Sequence, residues 1–193
     1  MRMWTNGLTL ASLALAVLLV SSACTAGDAR EAETAGSPTA KLDAPATTPA
    51  DPVEAAERAA IDAYLGMWAA YDAAGSPPSA DPADPRLEQY AADGALEGLR
   101  SGLTSMKEGG LVIEGDALFY PAVAEIGPAG TPTYAQIEDC ADTTNSSRVR
   151  ADGQPFEDEP GGRRRIVADL ERSAAGTWRV VDFAVLEVGS CSR

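Results

Sequence analysis

Apolar residues recur at helical spacing in the first part of the central region. Ala60, Ile61, Tyr64, Leu65, Trp68 and Tyr71 fall at i, i+3/i+4, i+7 and predict one amphipathic helix. Asp51 suits its cap, Pro52 its first position and Glu54 its third, while Gly75 and Pro77-Pro78 stop it. Asp84-Pro85 repeats the start signal before Leu87, Tyr90 and Ala91, a short second helix. Asp93 is placed to cap a third, with Leu96, Leu99, Leu103 and Met106 on one face and Gly109-Gly110 at its end.

Beyond Gly110 the pattern changes to strands. Residues 111–126 are rich in Val, Ile, Phe and Tyr, and Gly127, Pro128, Gly130 and Pro132 form a turn cluster. A second run covers 133–140 and can extend to about 149. Residues 152–162 read as a polar loop. In 163–172, Ile166, Ala168 and Leu170 share one face; Ala175-Gly176 marks a hairpin, and 178–188 the last strand. Helices first and strands later predict an α+β domain over 52–193, with one antiparallel sheet carrying the helices on one face.

The N-terminal segment has a different pattern. Arg2 is its single charge, and residues 8–20 are apolar except for Thr9 and Ser12, too short a run to span a bilayer. Ser21-Ser22-Ala23 then precedes Cys24. Residues 1–23 therefore read as a signal peptide. Cys24 resembles the acceptor cysteine of bacterial lipoproteins, which implies acylation there, although an aliphatic residue is usual where Ser21 stands. The alternatives are a plain secreted protein with a free Cys24 thiol and a retained, uncleaved anchor. Residues 24–51 are rich in Ala, Thr and Pro, with Leu42 the only large aliphatic residue, and read as a disordered tether.

Composition narrows the function. The 193 residues carry 15 Lys+Arg, 29 Asp+Glu and no His, a net charge of −14. Nucleic acid would be repelled, and His-based catalysis and His-ligated metal are excluded. Loss of residues 1–23 would leave 14 basic against 29 acidic residues, a net −15, so membrane association would rest on a lipid and not on attraction to anionic headgroups. Of the three cysteines, acylation of Cys24 would leave Cys140 and Cys191 as a pair in an oxidising compartment; the alternative is two unpaired thiols.

Several motifs recur in order across 58–191: Tyr64-Leu-Gly-Met-Trp68-Ala-Ala-Tyr71, Asp84-Pro-Arg-Leu87, Gly109-Gly-Leu, Asp139-Cys140-x-Asp142-Thr143, the Gly153 turn, Pro160-Gly161-Gly162-x-Arg164, Gly176-x-Trp178-x-Val180 and Gly189-x-Cys191. In this order they resemble secreted actinobacterial proteins of the nuclear transport factor 2-like superfamily, whose cone is also described as cystatin-like. The resemblance implies a curled sheet of four to six strands around the first helix, stapled by Cys140–Cys191. It does not choose a function, because the superfamily holds isomerases, dehydratases, polyketide cyclases and binding domains.

Enzymes of this kind use a carboxylate base and polarising groups inside the cone. The corresponding candidates are Tyr64, Trp68, Tyr71, Tyr90, Tyr120, Asp169 and Asp182, with Tyr64, Trp68, Tyr71 and Asp182 as the pocket set. Against this, the aromatic stripe suits core packing, and Asp182 suits an outward position or a pair with Arg165 or Arg179. Asp139, Asp142 and Asn145 lack the spacing of a calcium loop, and no metal or cofactor is expected. Asp152, Glu157, Asp158 and Glu159 read as a solvated surface, Arg163-Arg164-Arg165 as its neutralising partner, and Asn145-Ser146-Ser147 as a chance sequon. The expected function is a lipid-anchored envelope protein on the outer face of the cell membrane, with a non-catalytic domain binding a small apolar ligand or an envelope protein. Its alternatives are an isomerase- or dehydratase-type enzyme using an Asp/Tyr pocket and a dimerising structural domain.

Overall fold

The computed structural model describes residues 51–192; the segments expected to form a signal peptide and a tether, with Cys24 between them, lie outside these residues. Helix α1 spans Pro52–Gly75. Asp51 caps it by accepting a 2.9 Å hydrogen bond from the Val53 N–H, with Pro52 at the first position. Its buried line runs through Ala56, Ala60, Ala63, Tyr64, Met67, Trp68, Ala70 and Ala74. Leu65, expected on that line, is 36% exposed, and Ile61 and Tyr71 are half-buried. The stripe is thus rotated toward its alanines, which let the helix approach the sheet closely.

Helix α2 (Leu87–Tyr90) is a single turn. Helix α3 spans Asp93–Glu108 and buries Ala95, Leu99, Leu103 and Met106. Asp93 does not cap it. Ala92 holds that position, its N–H tied to the Val180 carbonyl at 2.9 Å, so Asp93 becomes the first helical residue, with φ +45°.

Six strands follow: β1 (Leu111–Gly115), β2 (Ala122–Gly127), β3 (Tyr134–Asp142), β4 (Ser146–Arg150), β5 (Arg163–Arg172) and β6 (Trp178–Val185). They form two antiparallel sheets, β2-β3-β5-β6 and β1-β4, in place of the single sheet expected. The apolar run 111–126 is divided because Gly115 turns at φ +84°, where a Cβ would lie 1.9 Å from the Asn145 carbonyl oxygen. The chain then crosses between the sheets, held by a bridge between Leu118 and Asp142.

The large sheet presents Ala135, Ile137, Asp139 and Ala141 of β3 and Ile166, Ala168 and Leu170 of β5 to the helices. Its other face carries Gln136, Glu138, Arg165 and Asp169. There Gln136 donates to Asp169 at 3.0 Å and Arg165 lies 4.0 Å from Glu138. This is not the apolar face on which a dimerising reading would depend.

The register between β5 and β6 shifts once. Leu170 faces Val180, but Asp169 faces Asp182, so Val181 is an extra residue. Before the bulge, Trp178 and Val180 point inward; after it, Phe183 and Val185 take the inner positions, opposite Ala168 and Ile166.

Asp139 is the charged-type side chain at the centre of this core, 3% exposed. It accepts 2.9 Å from the Tyr64 hydroxyl of α1 and 2.7 Å from the Tyr120 N–H of the crossing segment. Burial, with the adjacent Asp139 charge and hydrogen bond, raises the Tyr64 pKa far above that of an ordinary phenol. Beyond β6, Cys191 is bonded to Cys140 of β3, closing a separation of 51 residues.

Two stability outcomes follow. Tyr64→Phe leaves a buried carboxyl short of a donor and should cost about 1–3 kcal/mol in denaturant unfolding. The Cys140→Ser/Cys191→Ser double variant should lose about 2–4 kcal/mol by the same measurement, because the bridge restricts a long loop of the unfolded chain.

Candidate functional site

The cone opens at the end where β4, the 151–162 loop and the C-terminal end of β6 meet. A cavity of about 400 Å³ lies there, within the size range of small-molecule sites. Its floor is apolar. Trp68 projects from α1 and stacks on Phe119 with centroids 5.5 Å apart, and it meets Tyr71 and Phe183 edge-on at 6.0 and 5.4 Å. Met106, Ile113, Ala117, Ile166 and Val185 complete the apolar lining. The rim is polar, with Asp72, Ser146, Ser147, Arg148, Asp158, Glu159 and Arg164.

The 151–162 loop has no regular structure, yet it is fastened at three places. Asp158 accepts from Arg148 three times: from the backbone N–H at 2.7 Å, from Nε at 2.9 Å, and from Nη2. Phe156 packs under the Arg150 guanidinium at 5.9 Å. At the loop's end the Gly162 N–H donates to the Thr143 hydroxyl at 3.1 Å, and the Thr143 N–H donates to the Gly162 carbonyl at 3.1 Å. Gly161 fits only as glycine, since a Cβ would lie 2.0 Å from the Thr143 carbonyl oxygen. Asp158 is therefore no part of a solvated acidic surface; its side chain is 15% exposed. Burial pushes its pKa up, but the Arg148 hydrogen bonds and charge outweigh this and hold it below the usual carboxylate value.

The expected pocket set divides. Trp68 and Tyr71 line the cavity. Tyr71 reaches the Met106 sulfur at 3.9 Å, and burial raises its pKa. Tyr64 lies deeper, fully buried and bonded to Asp139. Asp182 is exposed on the outer side of β6, where it accepts from the Phe183 N–H at 2.9 Å; the Val181 bulge puts it there. It makes no ion pair with Arg165 or Arg179. Tyr90, Tyr120 and Asp169 are also outside the cavity lining. Of the arginine run, Arg163 pairs with Asp142 at 3.3 Å and Arg165 with Glu138, whereas Arg164 turns inward.

Asp72, Arg148, Arg164 and Phe119 were not among the expected site residues. Arg164 alone left a signal, since it has the same parity on β5 as Ile166, Ala168 and Leu170. Asp72 sits on the rim, where burial and then the nearby Asp116 charge raise its pKa to about 6. Among the described residues no three Cys, Asp or Glu side chains converge to hold a metal ion, and no helix is long and apolar enough to cross a membrane.

No family model matches the chain, and no curated protein matches it. Solved structures do resemble it in outline. The intermembrane-space region of the chloroplast protein ARC6 is 16% identical, with 67% of this chain and 95% of that one covered and a TM-score of 0.46. A ketosteroid isomerase-like protein from Erwinia carotovora atroseptica is 15% identical over 67% and 93%, with a TM-score of 0.43. A protein with a cystatin-like fold from Nostoc punctiforme is 14% identical over 65% and 88%, with a TM-score of 0.37. At these identities and scores no function passes from them to this chain.

Asp72 gives a pH-dependent outcome. Its folded pKa lies above the unfolded value of 3.8, so the native state holds this proton more tightly. Its contribution to stability is present below pH 4 and is lost as pH rises through about 6. Asp72→Asn, which stays neutral, should therefore be more stable than the wild type at pH 7.5 by about 1 kcal/mol after allowance for solvent screening. Thermal unfolding at pH 3.5 should show the difference gone.

Proposed function

We propose that this is a lipid-anchored cell-envelope protein, held on the outer face of the cell membrane by an acyl group on Cys24. Its α+β domain is a non-catalytic module that binds a small molecule in the mouth of the cone. The observation that carries the binding reading is the cavity itself, an open site with an aromatic floor and a polar rim beside an otherwise filled core. The ionisable groups support binding over catalysis. Arg148 and Asp158 are committed to each other, Tyr64 to Asp139, and Asp182 is outside. The signal-like segment before Cys24 and the tether after it support the anchor.

A second reading has one observation in its favour. The Asp72 carboxyl, titrating near pH 6 on the cavity rim beside Tyr71, suits proton transfer to or from a bound carbon acid. Under that reading Asp72→Asn would bind a ligand normally but fail to exchange its acidic C–H for deuterium.

The anchor is tested by expressing the full chain in an actinobacterial host fed an alkyne-bearing fatty acid. Wild type should carry the label and Cys24→Ala should not; an unlabelled wild type overturns the anchor. The cavity is tested by calorimetric titration of the mature chain with 2-naphthamide, a neutral aromatic probe. Saturable one-site binding is expected, and Ala117→Trp, which fills the cavity, should abolish it. Binding that survives in Ala117→Trp would place the ligand elsewhere.

A further inference from the structure

The cavity holds two arginines in different electrostatic situations. Arg148 is satisfied, since its backbone N–H and guanidinium both donate to Asp158. Arg164 is not. It stands on the inner face of β5, opposite Ala141 and next but one to Ile166, so its side chain enters the cone mouth. Its Nε is buried and makes no hydrogen bond, and its guanidinium forms no ion pair among the described residues. A buried guanidinium N–H without an acceptor is costly, and the planar fork of Arg matches a carboxylate geometrically. Its two sequence neighbours both have acidic partners on the other face, so the unpaired state belongs to the inward arginine.

We propose that Arg164 is the recognition residue for an anionic head group, and that the cavity takes a monocarboxylate with an apolar, preferably aromatic, body. This rests on the binding reading above. The body lies on Trp68, Phe119 and Ile113, while the carboxylate meets Arg164 at the rim. The same rim carries Asp72 and Glu159, and the chain as a whole has nearly twice as many acidic as basic residues. One negative charge is compensated by Arg164; a second, as on a phosphate monoester, meets those carboxylates. The site therefore selects single over double charge as well as anion over neutral.

The test compares 2-naphthoate with 2-naphthamide, matched in shape and differing in charge, by calorimetry on the mature chain at pH 7.5. Naphthoate should bind at least about ten-fold tighter, and 2-naphthyl phosphate should lose that advantage. Arg164→Gln should reduce the naphthoate preference to about one-fold while naphthamide binding persists, which also reports an intact fold. Arg164→Lys should keep part of the preference. Arg165→Gln, on the outer face, should leave it whole. Equal affinities in the wild type would overturn the proposal while leaving the cavity as a binding site. So would a preference that survives Arg164→Gln or is lost equally in Arg165→Gln. If neither probe binds, the binding reading falls and this proposal with it.

Discussion

The Asp139 carboxyl group organises the cone. It sits in the middle of β3 among Ile137, Ala141 and Ile166, where an unsatisfied carboxyl would be prohibitive. The donors that satisfy it come from two distant parts of the chain, the Tyr64 hydroxyl and the Tyr120 N–H. One sets the depth of α1 against the sheet. The other obliges the chain after β1 to leave its own sheet and pass over β3. With α1 set, Trp68 lies one turn further along the same face, against Phe119 on the crossing segment. The floor of the cavity thus follows from how the buried acid is satisfied.

The mouth is built differently. Its wall is the β1-β4 ribbon and an irregular loop, neither of which has much core to bury. Polar fastenings hold them, chiefly Arg148 to Asp158 and Thr143 to Gly162. A packed base and a mouth tied by charge and backbone hydrogen bonds give rigidity where the aromatic floor needs it. They also leave the rim chemically varied, as a site with few specific polar groups requires.

The helices and β5 were legible in the sequence because each is a sustained periodic pattern with its own start and stop residues. Even there, the boundary at Asp93 moved because a tertiary hydrogen bond from Ala92 to Val180 fixed the entry. The division of 111–126 between two sheets was not legible, since its cause, the approach of Asn145 to Gly115, involves residues thirty apart. Within the site, the aromatic floor could be found from the α1 stripe. Arg164 could have been found from its parity on β5. Asp72 and the Arg148–Asp158 pair could not, because the burial and partners that give them their character come only from the assembled fold.

The extra residue at Val181 has a consequence for how such a domain can change. Strand alternation runs through Trp178 and Val180 and would, unbroken, turn Asp182 toward the cone and Phe183 toward solvent. The bulge reverses that choice for everything beyond it. Removing Val181 would leave that outcome unchanged, because Asp182 would then follow Val180 directly and simple alternation would turn it outward and Phe183 inward. The bulge thus absorbs one extra residue without turning an acidic side chain into the apolar interior beside Trp68, and this edge strand tolerates a change of length at that point.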